Sequence, residues 1–128
     1  MMNRYMTLLT MLCCLLGCKE NGTFRSLPAE EFATAIADTS IVRLDVRTAA
    51  EFAEGHIAHA INIDVLKDDF EKQALKQLPK GQTIAVNCRS GKRSKTAARI
   101  LAGHGYKVIE LDSGYLGWIK AKLPVTTK

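Results

Sequence analysis

A chain of 128 residues is long enough for one domain and leaves little room for a second. Its hydrophobic content of 47% and charged content of 24% fit an ordinary globular protein. The formal net charge of +5 is spread along the chain, aromatic residues are few, and no nucleic-acid-binding signature occurs. We therefore predict no nucleic-acid partner, and we expect the basic surface to favour anionic substrates.

The first residues have the pattern of a targeting segment. Arg4 supplies a positive charge, and the apolar run from Tyr5 to Gly17 is too short to span a bilayer. The run ends in Leu15-Leu16-Gly17-Cys18, which resembles the lipobox of bacterial lipoproteins, whose cysteine is lipidated and becomes the new N-terminus. An ordinary secretory signal with an incidental cysteine is the alternative.

We therefore predict a signal peptide over residues 1–17, and a lipidated cysteine with a polar tether over 18–25. The protein would be exported and lipid-anchored at a bacterial membrane, facing the periplasm or the cell exterior. Processing would remove Cys13 and Cys14 and modify Cys18, so that Cys88 remains as the only free thiol. Exported proteins usually pair their cysteines, and an unpaired one is therefore expected to be kept for chemistry.

Helix and strand patterns alternate over residues 26–124, which we predict to form one domain followed by a polar tail over 125–128. The predicted helices cover about 28–37, 48–54, 64–77, 94–103 and 115–122, and the predicted strands cover 41–46, 60–63, 83–87 and 107–111. This order predicts an α/β fold with a mostly parallel central sheet and helices on both faces. Ligands bind outside the carboxyl ends of the strands in such sheets, where Cys88 lies.

The stretch from Thr83 to Ser94 predicts an activated thiol. It combines a short apolar strand, Cys88, a basic loop with a glycine, and the start of a helix. The first helical amides, the helix dipole and nearby basic side chains would favour a thiolate at neutral pH. Successive backbone N–H groups of the loop would also form a cradle for one anion.

Three ordered motifs resemble the rhodanese-like sulfurtransferase domain, over about residues 27–123. They are Leu44 to Phe52 followed by Gly55-His56-Ile57 and Ala60 to Ile63; Cys88 to Ser94; and Gly105 to Val108 with Leu111, Gly114 and Trp118. Ala49 stands where family members often have proline, and His59 replaces a common glycine. Both departures lie away from the thiol loop.

The resemblance implies that Cys88 takes a sulfane sulfur from a donor such as thiosulfate, carries it as a persulfide, and passes it to a thiophilic acceptor such as cyanide or a thiol. It implies substrate binding by the loop residues Arg89, Ser90, Gly91, Lys92, Arg93 and Ser94. Arg93 foremost, with Arg89 and Lys92, would bind the anionic donor and stabilise the departing sulfite. No cofactor and no metal is implied, and a sulfur-accepting protein is a further candidate partner.

Asp45 and Arg47 follow a strand at the same edge of the sheet as Cys88. We interpret them as structural or secondary residues, with an Arg47–Glu51 ion pair or loop support as their role. His56 and His59 have a metal-like spacing, but no carboxylate or thiol cluster accompanies them in the sequence. We predict a turn-packing or surface role for both.

Two other functions stay open beside a thiosulfate sulfurtransferase. One is a non-catalytic sulfur carrier or interaction module that presents a persulfide to another protein. The other is an anion hydrolase of the cysteine-phosphatase type, whose loops place five residues between cysteine and arginine. Here four residues separate Cys88 from Arg93, and the tighter cradle suits a sulfur atom better than a phosphoryl group.

Overall fold

The computed structural model describes residues 23–128. The predictions of a signal peptide, of the fates of Cys13 and Cys14, and of lipidation at Cys18 lie outside these residues. Within residues 23–128, no helix combines the length and the apolar character needed to cross a membrane.

Five parallel strands form one sheet in the order β1-β5-β4-β2-β3. The strands are β1 (Arg25–Leu27), β2 (Val42–Asp45), β3 (Ile61–Asn62), β4 (Ile84–Asn87) and β5 (Val108–Leu111). The helices are α1 (Ala29–Ile36), α2 (Ala49–Glu54), α3 (Phe70–Gln77), α4 (Lys92–Gly103) and α5 (Gly114–Lys120). The predicted α/β fold with a parallel sheet is confirmed.

Each face of the sheet carries its own core, because successive side chains of a strand point to opposite faces. On one face, strand residues such as Ile84 and Val86 pack with Phe70 of α3 and with Ala97 and Leu101 of α4. On the other face, Ala85 and Ile109 pack with α1 and with Trp118 of α5. All four residues of β4 are buried, as expected for a central parallel strand covered on both sides.

The edge strand β1 was not predicted. Arg25 lies in the predicted tether and Ser26 lies just before the first predicted helix, but both belong to β1, which pairs with β5. Only Leu27 of the three residues is buried, so the segment has no recognisable alternation and is held by its neighbour in the sheet. Pro28 is the N-cap residue of α1 in an extended conformation, not part of its first turn.

Helix α3 is shorter than predicted. The sequence predicted a helix from residue 64, but residues 64–69 form turns and the helix begins at Phe70. The Asp64 carboxylate accepts a hydrogen bond from the Leu66 amide, which is the local bond by which aspartate competes with helix formation. Helix α4 begins at Lys92, two residues before the predicted start at Ser94.

Candidate active site

Cys88 lies at the carboxyl end of the central strand, as predicted. Its backbone is held in place from α5, because the Tyr115 amide donates to the Cys88 carbonyl over 2.8 Å. The Leu116 amide likewise donates to the Arg89 carbonyl over 3.1 Å. No part of Cys88 is exposed to solvent, and it is the free cysteine of the described chain.

Within residues 23–128, two polar groups form hydrogen bonds with the Cys88 sulfur. The Gly91 amide donates to Sγ over 3.1 Å, and the Sγ–H group donates to Ser94 Oγ over 3.4 Å. Gly91 is the residue before α4, a helix of 12 residues whose N-terminus adds positive potential at the sulfur. The sequence predicted a cradle of amides over residues 89–94, and the Gly91 amide is the one that reaches the sulfur.

Two glycines let the loop fold against the turn that follows β5. Gly91 has a φ of +97°, and a Cβ there would lie 2.0 Å from the Asp112 carbonyl oxygen. Gly114 has a φ of +66°, and its Cβ would lie 2.3 Å from the Arg89 carbonyl oxygen. A side chain at either position would clash with backbone, so the close approach requires glycine at both.

Arg93 is occupied by a carboxylate of α2. Its Nη1 and Nη2 atoms lie 2.8 Å and 3.0 Å from the two carboxylate oxygens of Glu51. Glu51 also closes a capping box with Thr48 at the start of α2. The hydrogen bond from Arg93, followed by those from Thr48, lowers the pKa of Glu51 to about 2, against the opposing effect of burial.

The suggested Arg47–Glu51 ion pair is wrong, since Glu51 binds Arg93 and Arg47 binds Asp45. Arg47 Nη2 lies 2.7 Å from an Asp45 carboxylate oxygen, and both side chains are almost completely buried. Arg47 also donates to the Gly55 carbonyl over 2.7 Å, and its guanidinium lies 4.1 Å from the Tyr115 ring centroid. The pair therefore joins β2, the end of α2 and α5 behind the thiol loop.

The other cations near Cys88 fall into two groups. Lys95 is paired, with Nζ 3.0 Å from Glu110 and 2.9 Å from Asp112. Arg89 and Lys92 are exposed, and neither forms an ion pair with any residue between 23 and 128. Both side chains are therefore accessible to an anion from solvent.

The family model of the rhodanese-like domain matches residues 28–121. The chain belongs to the rhodanese-like family. It is 33% identical over 101 residues to a sulfurtransferase of Allochromatium vinosum, which covers 77% of this chain and 92% of that protein. It is 35% identical over 97 residues to thiosulfate sulfurtransferase 18 of Arabidopsis thaliana, covering 66% of this chain and 71% of the relative.

The fold agrees with solved rhodanese-like structures. The crystal structure of a rhodanese-related protein from Thermoplasma volcanium aligns with a TM-score of 0.73 at 30% identity, over 82% of this chain and 100% of that chain. Together with the sulfurtransferases among the relatives, this membership supports sulfurtransferase activity in general.

This rhodanese-like domain contains a buried acid near the thiol, Glu110, which the sequence did not predict as a site residue. Glu110 lies in β5 and has no exposed surface, and its carboxylate contacts Ser94, Ser26 and Lys95. The sequence did contain an indication of this acid, because Glu110 is the one charged residue in the otherwise apolar strand Val108–Leu111. A charge in a buried strand is stable only with partners, and it therefore marks a polar cluster.

His56 is buried rather than exposed. Its Nδ1 lies 2.8 Å from the Phe52 carbonyl oxygen and its Nε2 lies 3.0 Å from the Lys128 carbonyl oxygen. The turn-packing role predicted for it agrees with these contacts. His59 is exposed and takes a φ of +64°, which is the left-handed conformation that glycine adopts at least cost.

Proposed function

We propose that the protein is a thiosulfate-type sulfurtransferase that carries the transferred sulfur as a persulfide on Cys88. The observation that carries this proposal is the environment of the Cys88 sulfur, which accepts the Gly91 amide at the N-terminus of α4. An amide donor and a helix N-terminus both favour the anionic forms of the sulfur, thiolate and persulfide.

The reaction has two halves. The Cys88 thiolate attacks the outer sulfur of thiosulfate, the sulfur–sulfur bond of the donor breaks, and sulfite leaves with the bonding electrons. An acceptor thiolate or cyanide then attacks the outer sulfur of the persulfide, and Cys88 departs as a thiolate. Each half needs a stabilised thiolate, first as nucleophile and then as leaving group.

Arg89 and Lys92 are the proposed donor-binding cations, because both are exposed and neither has an acidic partner within the described chain. Arg93 is a positioning residue in this scheme, since both of its outer nitrogens are bound to Glu51. Because Cys88 has no exposed surface, the donor reaches its sulfur when loop residues 89–91 move.

A non-catalytic sulfur carrier is the second candidate. The complete burial of Cys88 favours it, because a covered persulfide would be sheltered from water and oxidants between transfers. A hydrolase of the cysteine-phosphatase type is less well supported. Its arginine would have to bind the phosphoryl group, and Arg93 is already bound by a carboxylate.

The test is the intact mass of the purified full-length chain after thiosulfate and then after cyanide. We expect the gain of one sulfur atom, its loss on cyanide treatment, and no gain in Cys88→Ser. Loading without catalytic turnover would favour the carrier. A reduced and alkylatable Cys88 that takes up no sulfur would exclude both.

We propose further that the chain is exported and anchored through lipid on Cys18. The direction of β1 supports an outward-facing site, because the chain enters the sheet at Arg25, at the amino ends of the parallel strands, whereas Cys88 follows a carboxyl end. A tether before Arg25 would therefore place the thiol loop on the side away from the membrane. Cys18→Ser should release the chain into the soluble fraction, and continued membrane retention would contradict the anchor.

A further inference from the structure

A line of three buried polar groups leads away from the Cys88 sulfur into the domain. Cys88 Sγ donates to Ser94 Oγ over 3.4 Å, and Ser94 Oγ donates to Glu110 Oε2 over 2.5 Å. None of the three residues has exposed surface. The residue that follows β4, a residue of α4 and a residue of β5 thus form one continuous hydrogen-bonded path that the proposed sulfur transfer does not itself require.

The hydrogen bonds of the Glu110 carboxylate indicate which groups of the path act as donors and which act as acceptors. Ser26 Oγ and Lys95 Nζ both donate to Oε1, over 2.6 Å and 3.0 Å, which is the pattern of an ionised carboxylate. The Ser94 hydroxyl has a single proton and gives it to Oε2. Its oxygen then presents only a lone pair to Cys88, so the sulfur in this arrangement carries a proton.

That proton has no direct route to solvent, because Cys88 and Ser94 are both fully buried. Water cannot remove it while the loop is closed. Among residues 23–128, the acceptor that lies against the thiol is Ser94, and the acceptor that lies against the Ser94 hydroxyl is Glu110. The path therefore ends on a group that is able to accept a proton.

We propose that Glu110, acting through Ser94, accepts the proton of Cys88 when the thiol becomes a nucleophile. The Cys88 proton moves to Ser94 Oγ as the Ser94 proton moves to Glu110 Oε2, leaving a thiolate and a neutral carboxylic acid. No bond between heavy atoms changes and no oxidant or reductant is needed. The reverse shift returns the proton to Cys88 after the acceptor has taken the sulfur, so this role rests on the proposed sulfur transfer.

All hydrogen bonds of the path survive the transfer. After it, Ser94 donates to the thiolate and accepts from Glu110, while the Gly91 amide still donates to the sulfur. The negative charge moves from Glu110, which faces Lys95, to Cys88 at the N-terminus of α4. Charge is therefore conserved within the buried cluster, and no uncompensated ion is left in the core.

The charged groups around the path set its pH dependence. Lys95 faces Glu110 and is itself bound to Asp112, which is exposed. Arg93 faces the sulfur, and the negative form of Cys88 contributes to raising the pKa of that guanidinium, after the larger effect of Glu51. Arg89 and Lys92 flank the loop from the solvent side.

The test is the rate at which iodoacetamide alkylates Cys88 in the full-length chain between pH 6 and 9. The rate is read by mass spectrometry on the tryptic peptide 81–89, so that the other cysteines do not interfere. Ser94→Ala and Glu110→Gln should each slow alkylation about a hundredfold near pH 6.5, the low end of what a positioned base contributes. The deficit should shrink toward pH 9, where hydroxide replaces the carboxylate.

The double variant identifies a shared path. Both substitutions interrupt the same transfer, so Ser94→Ala combined with Glu110→Gln should be no slower than the slower single variant. Ser26→Ala is the matched control, because Ser26 donates to the same carboxylate but lies off the path. It should alter stability while leaving the alkylation rate within about twofold.

Several outcomes would overturn the relay. Equal or faster alkylation in Ser94→Ala would do so, since it would mean that the pair only holds the proton on sulfur. A slowing that is the same at every pH, or that Ser26→Ala shares, would show a purely structural role. If Glu110→Gln fails to fold by circular dichroism, Ser94→Ala decides the matter alone. Alkylation uses no sulfur donor, so a failure of sulfur uptake would refute the proposed function and leave the alkylation result unaffected.

Discussion

Replacing Glu51 by glutamine removes the charge that binds Arg93 and little else. Both carboxylate oxygens of Glu51 accept from the Arg93 guanidinium, over 2.8 Å and 3.0 Å. The same residue completes the capping box of α2 with Thr48. Glutamine also serves at that position of a capping box, so Glu51→Gln isolates the ion pair from the helix cap.

The magnitude follows from the pKa of Glu51, which is lowered from 4.5 to about 2. Each pKa unit corresponds to about 1.4 kcal/mol, which gives about 3 kcal/mol for a fully effective pair. The two side chains are 22% and 23% exposed, so solvent screening reduces the expected contribution to about 2 kcal/mol. A lowered carboxyl pKa stabilises the fold above pH 4.5, and the stabilisation is lost as the pH falls toward 2.

The assay is thermal unfolding of Glu51→Gln and of the unsubstituted chain at pH 7, 4 and 2.5, followed by circular dichroism. A loss of about 2 kcal/mol lowers Tm by about 10 °C in a domain of this size at pH 7. The two curves should approach one another at pH 2.5. The control is Glu54→Gln on the same helix, because Glu54 is exposed and forms no ion pair within the described chain. Equal Tm values at pH 7, or a gap at pH 2.5 as large as the gap at pH 7, would refute the reasoning.

Three further predictions concern the loop and the pair behind it. Gly91→Ala should cost more than about 3 kcal/mol of unfolding free energy, because its Cβ would lie 2.0 Å from a backbone oxygen. The control is Gly81→Ala, where φ is +84° and the space around the residue is open, so a cost of only about 1 kcal/mol is expected. Denaturant unfolding measures both. Asp45→Asn leaves the Arg47 guanidinium buried without its counter-charge, so a loss of about 3 to 5 kcal/mol is expected, and a Tm unchanged within error would contradict it. Arg89→Ala and Lys92→Ala should each raise the KM for thiosulfate up to about fivefold in a steady-state assay, and neither should lower Tm. The increase in KM should become smaller at high salt, and an increase that is independent of salt would argue against charge recognition.

Local patterns in the sequence were enough to predict most of the architecture. The strands β2, β4 and β5 are short runs of branched and apolar residues between turn signals, and their signal lies within the strand itself. The strand β1 has no such signal, because two of its three residues are exposed and its existence depends on pairing with β5. A strand that is defined by its partner cannot be predicted from its own residues.

The contacts of the site likewise differ in how well the sequence predicts them. The contact of Gly91 with Cys88 joins residues three positions apart, and the strand-loop-helix pattern was sufficient to predict a thiol facing an amide. The contact of Arg93 with Glu51 joins residues 42 positions apart. The sequence offered Arg47 as a neighbouring partner for Glu51, and nothing in it indicated that this carboxylate caps α2 and also binds a loop arginine. Pairings of this kind depend on how α2 and α4 are placed at the edge of the sheet.

The distribution of acids therefore decides which cation can act on a substrate. The family resemblance placed Arg93 first for donor binding, and a cation at a helix N-terminus is unfavourable without an anion. The structure supplies that anion internally as Glu51, and it pairs Lys95 with Glu110 and Asp112. Among the cations of the loop and the first turn of α4, Arg89 and Lys92 are exposed and form no ion pair with a residue in 23–128. The cations therefore differ by position: Arg93 and Lys95 tie the loop and the start of α4 to neighbouring elements, whereas Arg89 and Lys92 are exposed and are the proposed contacts for an anionic donor.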